Sequence, residues 1–305
     1  MRIIFMGTPD FAVPSLEVLV EEHDVVAVVT QPDRRSGRGQ RLRPSPVKEA
    51  ALKHGLTVLQ PEKVGVPEVM DELEAYGADL FVVVAFGQKL PDRLLEMPKY
   101  GCVNVHSSLL PKYRGAAPIN AAIVQGDSVT GVTTMYMDSG WDTGDIILQA
   151  EEPILPRDTA GALHDRLMVK GAELLRETVR QIAAGNAPRK PQDHGAASYA
   201  FKLSKDDSYV DFKEPADRLD RLIRGMNPWP LAYTYVGEET VKIHEALPSD
   251  ASGAPGEILA LEGQGLLVGC GLGSLLLLKV QRPNAKAVSG VDFANGLRLR
   301  VGDYL

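Results

Sequence analysis

Asn104 and His106 stand two residues apart in the stretch Cys102-Val-Asn-Val-His-Ser-Ser-Leu-Leu-Pro. In an extended strand alternate side chains share a face, so an amide donor and an imidazole converge there. The pair suits acyl transfer, in which the carboxamide donates to an oxygen that gains charge and the imidazole moves a proton. A second segment, Met137-Asp-Ser-Gly-Trp-Asp-Thr-Gly-Asp, reads as a turn-rich loop carrying Asp138, Asp142 and Asp145. The loop is expected to leave the sheet at the same end as His106, where one of these carboxylates reaches the imidazole and favours its protonated form.

The surrounding residues argue for direct transfer over a covalent enzyme intermediate. Ser107 and Ser108 follow His106, but the chain has no Gly-x-Ser-x-Gly elbow of the kind that exposes a nucleophilic serine. The six histidines show no paired spacing, so no metal centre is expected. After Met6 comes Gly-Thr-Pro-Asp-Phe-Ala, with one glycine where a dinucleotide turn needs three. A different cluster, Arg34, Arg35, Arg38, Arg41, Arg43 and Lys48, is interleaved with glycine and proline and opposed only by Asp33. In a chain of net charge −7 such a cationic loop points to a polyanion, and it is expected to gain fixed structure only on binding one.

These residues need a scaffold. Short apolar runs at 2–6, 24–30, 56–59, 79–85, 102–106, 132–137 and 146–150 alternate with helical patterns at 14–22, 46–54, 67–76, 118–126 and 159–184. Several runs are continuous Val, Ile and Leu, as in strands covered on both faces, which predicts an α/β fold with an open, mainly parallel sheet. Ligands bind beyond the carboxyl ends of such strands, where Asn104 and His106 fall. The turn formers at 185–195 read as a linker. An amphipathic segment at 215–226 then precedes short strands near 232–236, 240–246, 256–261, 266–269, 275–280 and 297–301, which predict a small β-barrel. The expected division is a catalytic domain over 1–189, a linker over 190–206 and a barrel over 207–305.

Composition agrees with a globular protein: 44% hydrophobic and 24% charged residues suggest neither disorder nor a membrane protein. The first apolar run meets Asp10 too soon for a signal-peptide core, and no charge-free run approaches the ~18 residues of a membrane span, so a cytoplasmic location is expected. Cys102 and Cys270 lie far apart without CxxC spacing and read as structural thiols.

Four blocks resemble the methionyl-tRNA formyltransferases: RIIFMGTPDFA from Arg2, QPDRRSGRGQRLRPSPVK from Gln31, NVHSSLLPKYRGAAP from Asn104 and MDSGWDTGD from Met137. Lys202-Leu-Ser-Lys and Asn227-Pro-Trp-Pro strengthen the match to the tRNA enzymes among the folate-dependent formyltransferases. The resemblance implies a Rossmann-like formyltransferase fold for the first domain, with Asn104, His106 and Asp142 as the catalytic set. It implies 10-formyltetrahydrofolate as co-substrate, contacted by Phe86, Gly87, Gln88, Leu90, Ser108, Leu109, Leu110, Pro111, Met137 and Asp138, with no metal. It further implies initiator methionyl-tRNA as partner, met by Arg34, Arg35, Arg38, Arg41, Arg43 and Lys205 and by an OB-like second domain, with no membrane and no obligate protein partner.

Overall fold

The computed structural model describes residues 1–36 and 41–305. Along the chain the strands are β1 (Arg2–Gly7), β2 (Asp24–Val29), β3 (Arg34–Ser36), β4 (Arg41–Arg43), β5 (Val58–Leu59), β6 (Leu80–Val84), β7 (Cys102–His106), β8 (Arg114–Gly115), β9 (Val129–Tyr136), β10 (Ile146–Pro153) and β11 (Tyr199–Ala200). Six more follow: β12 (Ala232–Val236), β13 (Glu239–Ser249), β14 (Ile258–Glu262), β15 (Gly265–Gly269), β16 (Ser274–Gln281) and β17 (Val288–Ser289). The helices are α1 (Val13–Glu22), α2 (Pro46–Lys53), α3 (Pro67–Ala75), α4 (Asp92–Glu96), α5 (Pro118–Gln125), α6 (Ala160–Ala183), α7 (Ala216–Gly225) and α8 (Gly290–Leu297).

Two compact units account for these elements. The first comprises Met1–Pro118, Val129–Pro153 and His164–Ala200; the second comprises Ile119–Ser128, Ile154–Leu163 and Phe201–Leu305. The second unit thus draws in two short segments that interrupt the first unit along the sequence. Asn120 Nδ2 donates to the Gly225 carbonyl at 2.7 Å, and Arg157 pairs with buried Asp220 at 2.9 Å.

The first unit holds a seven-stranded sheet in the order β10-β9-β7-β6-β1-β2-β5. The pairs joining β7, β6, β1, β2 and β5 are parallel, and the runs Ile3–Met6 and Leu80–Val84 are buried, as strands covered on both faces require. Proline at the start of α2, α3 and α5 occupies a first turn that lacks an intrahelical acceptor for its N–H anyway. At α2, Ser45 caps the helix by accepting from the Lys48 N–H at 3.1 Å.

One expectation fails here. β9 runs antiparallel to β7, pairing Tyr136 with Val103 and Thr133 with His106. The loop after β9 therefore starts beside the amino end of β7, not at the carboxyl end with His106. Alternating apolar residues mark a strand but carry no information on its direction.

Two further departures have local causes. The stretch 185–195 has the composition of a linker, yet Lys190 bridges to Ile146 and Gln192 is buried within the first unit. The region 297–301 was expected to be a strand from its Leu-Arg-Leu-Arg-Val alternation. Instead Leu297 closes α8, whose cap Ser289 accepts from the Asp292 N–H at 3.0 Å, and Arg298 adopts the left-handed region at φ +58°.

The second unit contains an antiparallel sheet in the order β12-β13-β16-β15-β14, with β17 paired to β16. Its core gathers Leu219 and Ile223 of α7 with Val241, Ile243, Leu266, Leu275 and Leu277. The polar and apolar faces of α7 alternate with helical period, which buries one side on the sheet.

Candidate active site

β7 ends on His106, which is only 6% exposed. Its Nε2 lies 2.9 Å from the Tyr113 carbonyl oxygen. A carbonyl only accepts, so Nε2 carries a hydrogen and Nδ1 is the ring atom left for exchange. Nδ1 faces the carboxylate of Asp142 at 3.8 Å. Asn104, half-buried and on the same strand face, has a carboxamide that bonds to no other described residue.

Asp142 reaches this place because loop 137–145 folds back along β7. Met137 begins the loop by donating its N–H to the Cys102 carbonyl at 2.8 Å, and Asp145 ends it by accepting from the Tyr136 N–H at 2.9 Å. Within the loop, Asp138 accepts from the Gly140 N–H at 3.0 Å and the Thr143 hydroxyl at 2.7 Å. The Gly115 N–H donates to Asp142 Oδ2 at 2.8 Å, aiming the carboxylate.

In the first unit the described non-glycine residues at positive φ are Ala85 (46°), Tyr113 (58°) and Asp142 (53°), and all three flank His106 or the expected ligand loops. Backbone held in this sparsely populated region costs about 1–3 kcal/mol each and persists where surrounding bonds determine it. Tyr113 uses the conformation to present its carbonyl to His106, and Asp142 to present its carboxylate.

The other expected ligand residues divide into two groups. Phe86 and Leu90 are buried, Gly87 sits at φ +85°, and no backbone N–H of residues 86–90 donates to another described residue. Phe86 and Leu90 pack into the core around Ile4 and Val83, which fixes the intervening backbone with its donors open. Gln88, by contrast, accepts from the Val64 N–H at 2.8 Å and donates to the Pro61 carbonyl at 3.2 Å. Ser108 donates to the Lys112 carbonyl at 2.6 Å, and Leu110 packs with Met135 and Ile146. Leu109 and Pro111 are half-buried beside them; Met137 packs against the core around Ile4 and Cys102. A cavity of about 240 Å³ borders the far part of the loop, lined by Tyr136, Asp138, Thr143, Asp145 and Arg189 among others, but it touches neither Asn104 nor His106.

Cys102 opens β7 yet is no nucleophile, because burial pushes its thiol up to about 12; burial likewise raises Cys270 to about 11. Among the described residues, no group of three His, Cys, Asp or Glu side chains assembles as a metal set would.

Part of the cationic cluster falls within the described residues. β3 and β4 pair antiparallel with Arg34 directly opposite Arg43 and Arg35 opposite Leu42. Arg38 lies outside the described residues, and Arg41 is placed as part of β4. Lys48 is withdrawn from the cluster: its ammonium holds Asp33 at 2.8 Å and Gln60 at 2.7 Å, and the hydrogen bonds from Lys48 and then Gln60 keep the Asp33 carboxyl below the usual carboxylate range. Lys205 belongs to the second unit, where its ammonium lies 4.8 Å from the centre of the Tyr233 ring.

Residues 1–179 match the formyl transferase family and residues 202–298 match the formyl transferase C-terminal domain. A methionyl-tRNA formyltransferase of Geobacter metallireducens is 48% identical over 99% of this chain and 97% of its own, and one of Acetivibrio thermocellus is 46% identical over 100% and 99%. The chain belongs to the methionyl-tRNA formyltransferase family. Among solved structures, an N-formyltransferase of Helicobacter canadensis in complex with folinic acid and dTDP-3-aminofucose aligns with a TM-score of 0.68 at 21% identity, covering 92% of this chain and 99% of that one. Glycinamide ribonucleotide transformylase 1 of Symbiobacterium toebii aligns over 63% of this chain and 93% of its own, with a TM-score of 0.53 at 23% identity. At these identities the structures show that the formyltransferase fold is shared. Residues the sequence reading passed over are Gly115, Arg114 and Gln192, which contact loop 137–145 directly or through one another. Their only signal was position, next to the His106 block and inside an apparent linker.

Proposed function

We propose that the protein transfers a formyl group from 10-formyltetrahydrofolate to the α-amino group of methionyl initiator tRNA, yielding N-formylmethionyl-tRNA in the cytoplasm. The observation that carries this reading is the convergence of an unpartnered Asn104 carboxamide with the His106–Asp142 pair on one strand face, in a chain alike over its whole length to methionyl-tRNA formyltransferases. Among the described residues, no helix is long and apolar enough to cross a membrane.

When bound, the folate supplies an electrophilic formyl carbon. Asn104 offers its two N–H groups to the oxygen on which negative charge builds, with no competing bond to break first. Tyr113 fixes the imidazole by its bond to Nε2, which leaves Nδ1 to take the proton that the attacking amine loses and return it to the folate N10 as its bond to the formyl carbon breaks. Asp142, aimed by Gly115, sets its negative charge beside that atom and orients the proton there. Phe86 and Leu90, packed into the core, fix the backbone at 86–90, whose open N–H groups meet the polar edge of the pterin. Arg34, Arg35, Arg38, Arg41, Arg43 and Lys205 contact tRNA phosphates.

The deciding assay offers 10-formyltetrahydrofolate with charged initiator tRNA, with an amino sugar nucleotide, or with no acceptor. Rapid formylation of tRNA alone is expected. Equal turnover with the sugar nucleotide, or folate hydrolysis without acceptor at the same rate, would assign the site to another formyl acceptor.

A further inference from the structure

Arg114 is 2% exposed, and its guanidinium is spent on neutral groups. Its Nε and Nη2 donate to Gln192 Oε1 at 3.1 and 2.7 Å, and Nη2 also donates to His194 Nδ1 at 3.2 Å. These bonds decide which way the Gln192 amide points, because an arginine only donates and therefore selects the oxygen. The amide nitrogen must then face the other way. It does so, with Nε2 donating to the Asp142 carbonyl at 2.9 Å and the Gly144 carbonyl at 2.8 Å. Both are acceptors only, so each hydrogen of the amide has one partner in the loop.

Asp142 is thus gripped twice from one dipeptide. Gly115 holds its carboxylate directly, and Arg114, one residue earlier, holds its backbone through Gln192. A residue at φ +53° relaxes toward commoner backbone conformations unless such bonds keep it. Gln192 itself is 6% exposed, and the polar groups that meet the imidazole are the Tyr113 carbonyl and the Asp142 carboxylate. Its hydrogen bonds to the loop carry its influence to Asp142, and the one other contact of its Nε2, to Met135 Sδ at 3.9 Å, is long and weak.

We propose that Gln192 is a positioning residue for Asp142, with buried Arg114 setting the sense of its amide; this rests on the reading that Asp142 acts on His106. Two substitutions in the full chain separate positioning from mere packing. Gln192→Glu keeps an oxygen for Arg114 and nearly the same volume, but turns a second oxygen onto the two loop carbonyls. Gln192→Met keeps the length and removes every strong bond.

Turnover of 10-formyltetrahydrofolate with charged initiator tRNA is measured for each, alone and combined with Asp142→Ala, with thermal melting to confirm folding. A displaced carboxylate costs on the order of 10- to 100-fold in kcat, with the folate KM within about threefold of wild type. In the Asp142→Ala background the further loss should shrink to about twofold or less, since Gln192 has nothing left to position. If Gln192→Glu is folded and turns over like wild type while Asp142→Ala collapses, the inference is overturned and the site reading stands. If Gln192→Met costs the same factor with and without Asp142, it acts by another route and the inference is likewise overturned. Wild-type kcat in Asp142→Ala alone would instead overturn the site reading, and the inference with it.

Discussion

Nδ1 of His106 and a carboxylate oxygen of Asp142 lie 3.8 Å apart, although Asp142 belongs to a loop that starts at the far end of β7. Three residues of strand, roughly 10 Å at about 3.3 Å each, separate Val103 beside Tyr136 from His106. The loop recovers that distance by folding back along the strand. An arrangement so costly to build suggests that the pair and the adjacent Asn104 work as one unit on a single transition state.

His106→Ala, Asn104→Ala and Asp142→Ala are therefore each expected to lower kcat by about 100-fold or more. Because the groups cooperate, a double variant should be scarcely worse than its worse single parent. Near-wild-type kcat in a folded His106→Ala protein would falsify the assignment, and fully multiplicative losses would show that the groups act independently.

Gly115 carries a constraint that no other residue type meets. Its φ is +113°, and a Cβ there would stand 2.6 Å from the Ala200 carbonyl oxygen, across the β8–β11 pair. Gly115→Ala should lose about 1–3 kcal/mol of stability from backbone strain alone. It should also lower kcat more than a matched destabilising change elsewhere, since the same peptide aims Asp142. Denaturant melts and kcat on the folded fraction test this; lost stability with unchanged turnover would mean that the Gly115 bond is dispensable for chemistry.

Much of the fold was legible because burial on both faces leaves a continuous apolar run, as in residues 80–84, and because proline and serine mark helix starts at 45–46 and 118. Strand direction at β9 was not, since alternation is the same read from either end. Nor was the anchoring of residues 190–200: Gln, His and Gly there have linker composition, and the partners of Gln192, namely Arg114 and the carbonyls of Asp142 and Gly144, lie at least 48 residues away in sequence. The assignment of 119–128 and 154–163 to the second unit depends on long-range contacts such as Gly161 N–H to the Asn227 carbonyl at 3.0 Å. At the site, the shared face of Asn104 and His106 followed from period two alone. The choice of Asp142 over Asp138 and Asp145 needed the family resemblance, because three carboxylates in one loop are equivalent until the backbone is placed.

Arg34 and Arg43 face each other across β3 and β4, and among the described residues neither has a carboxylate partner. Like charges directly opposite disfavour the pair, a cost that a bound polyanion reverses. Arg43→Gln and Arg34→Gln should weaken initiator tRNA binding while leaving the folate KM unchanged. Each lost phosphate contact should also reduce the slope of log K against log salt by about 0.7–0.9. Titrations of labelled tRNA over a range of salt concentrations measure both quantities, and an unaltered slope in the double variant would place the RNA elsewhere.

Glu152 supplies a pH dependence whose sign is fixed by its partners. It is largely buried on β10 and is held by Lys170 at 2.8 Å and Arg166 at 2.7 Å, both on α6. Lys170, helped by Arg166, lowers its carboxyl below the ordinary value of 4.5. A carboxyl with a depressed folded-state pKa stabilises the protein fully above its unfolded value, and that contribution fades as pH falls through the folded value. Glu152→Gln should therefore melt earlier than wild type at pH 7, by the about 1–2 kcal/mol expected for charge-assisted bonds whose cations are part-exposed. Below about pH 4.5 the gap should close progressively as wild-type Glu152 takes up its proton. Melting both proteins from pH 7 to pH 3 gives the answer: a gap that stays constant across that range would mean that Glu152 contributes through packing and not through its charge.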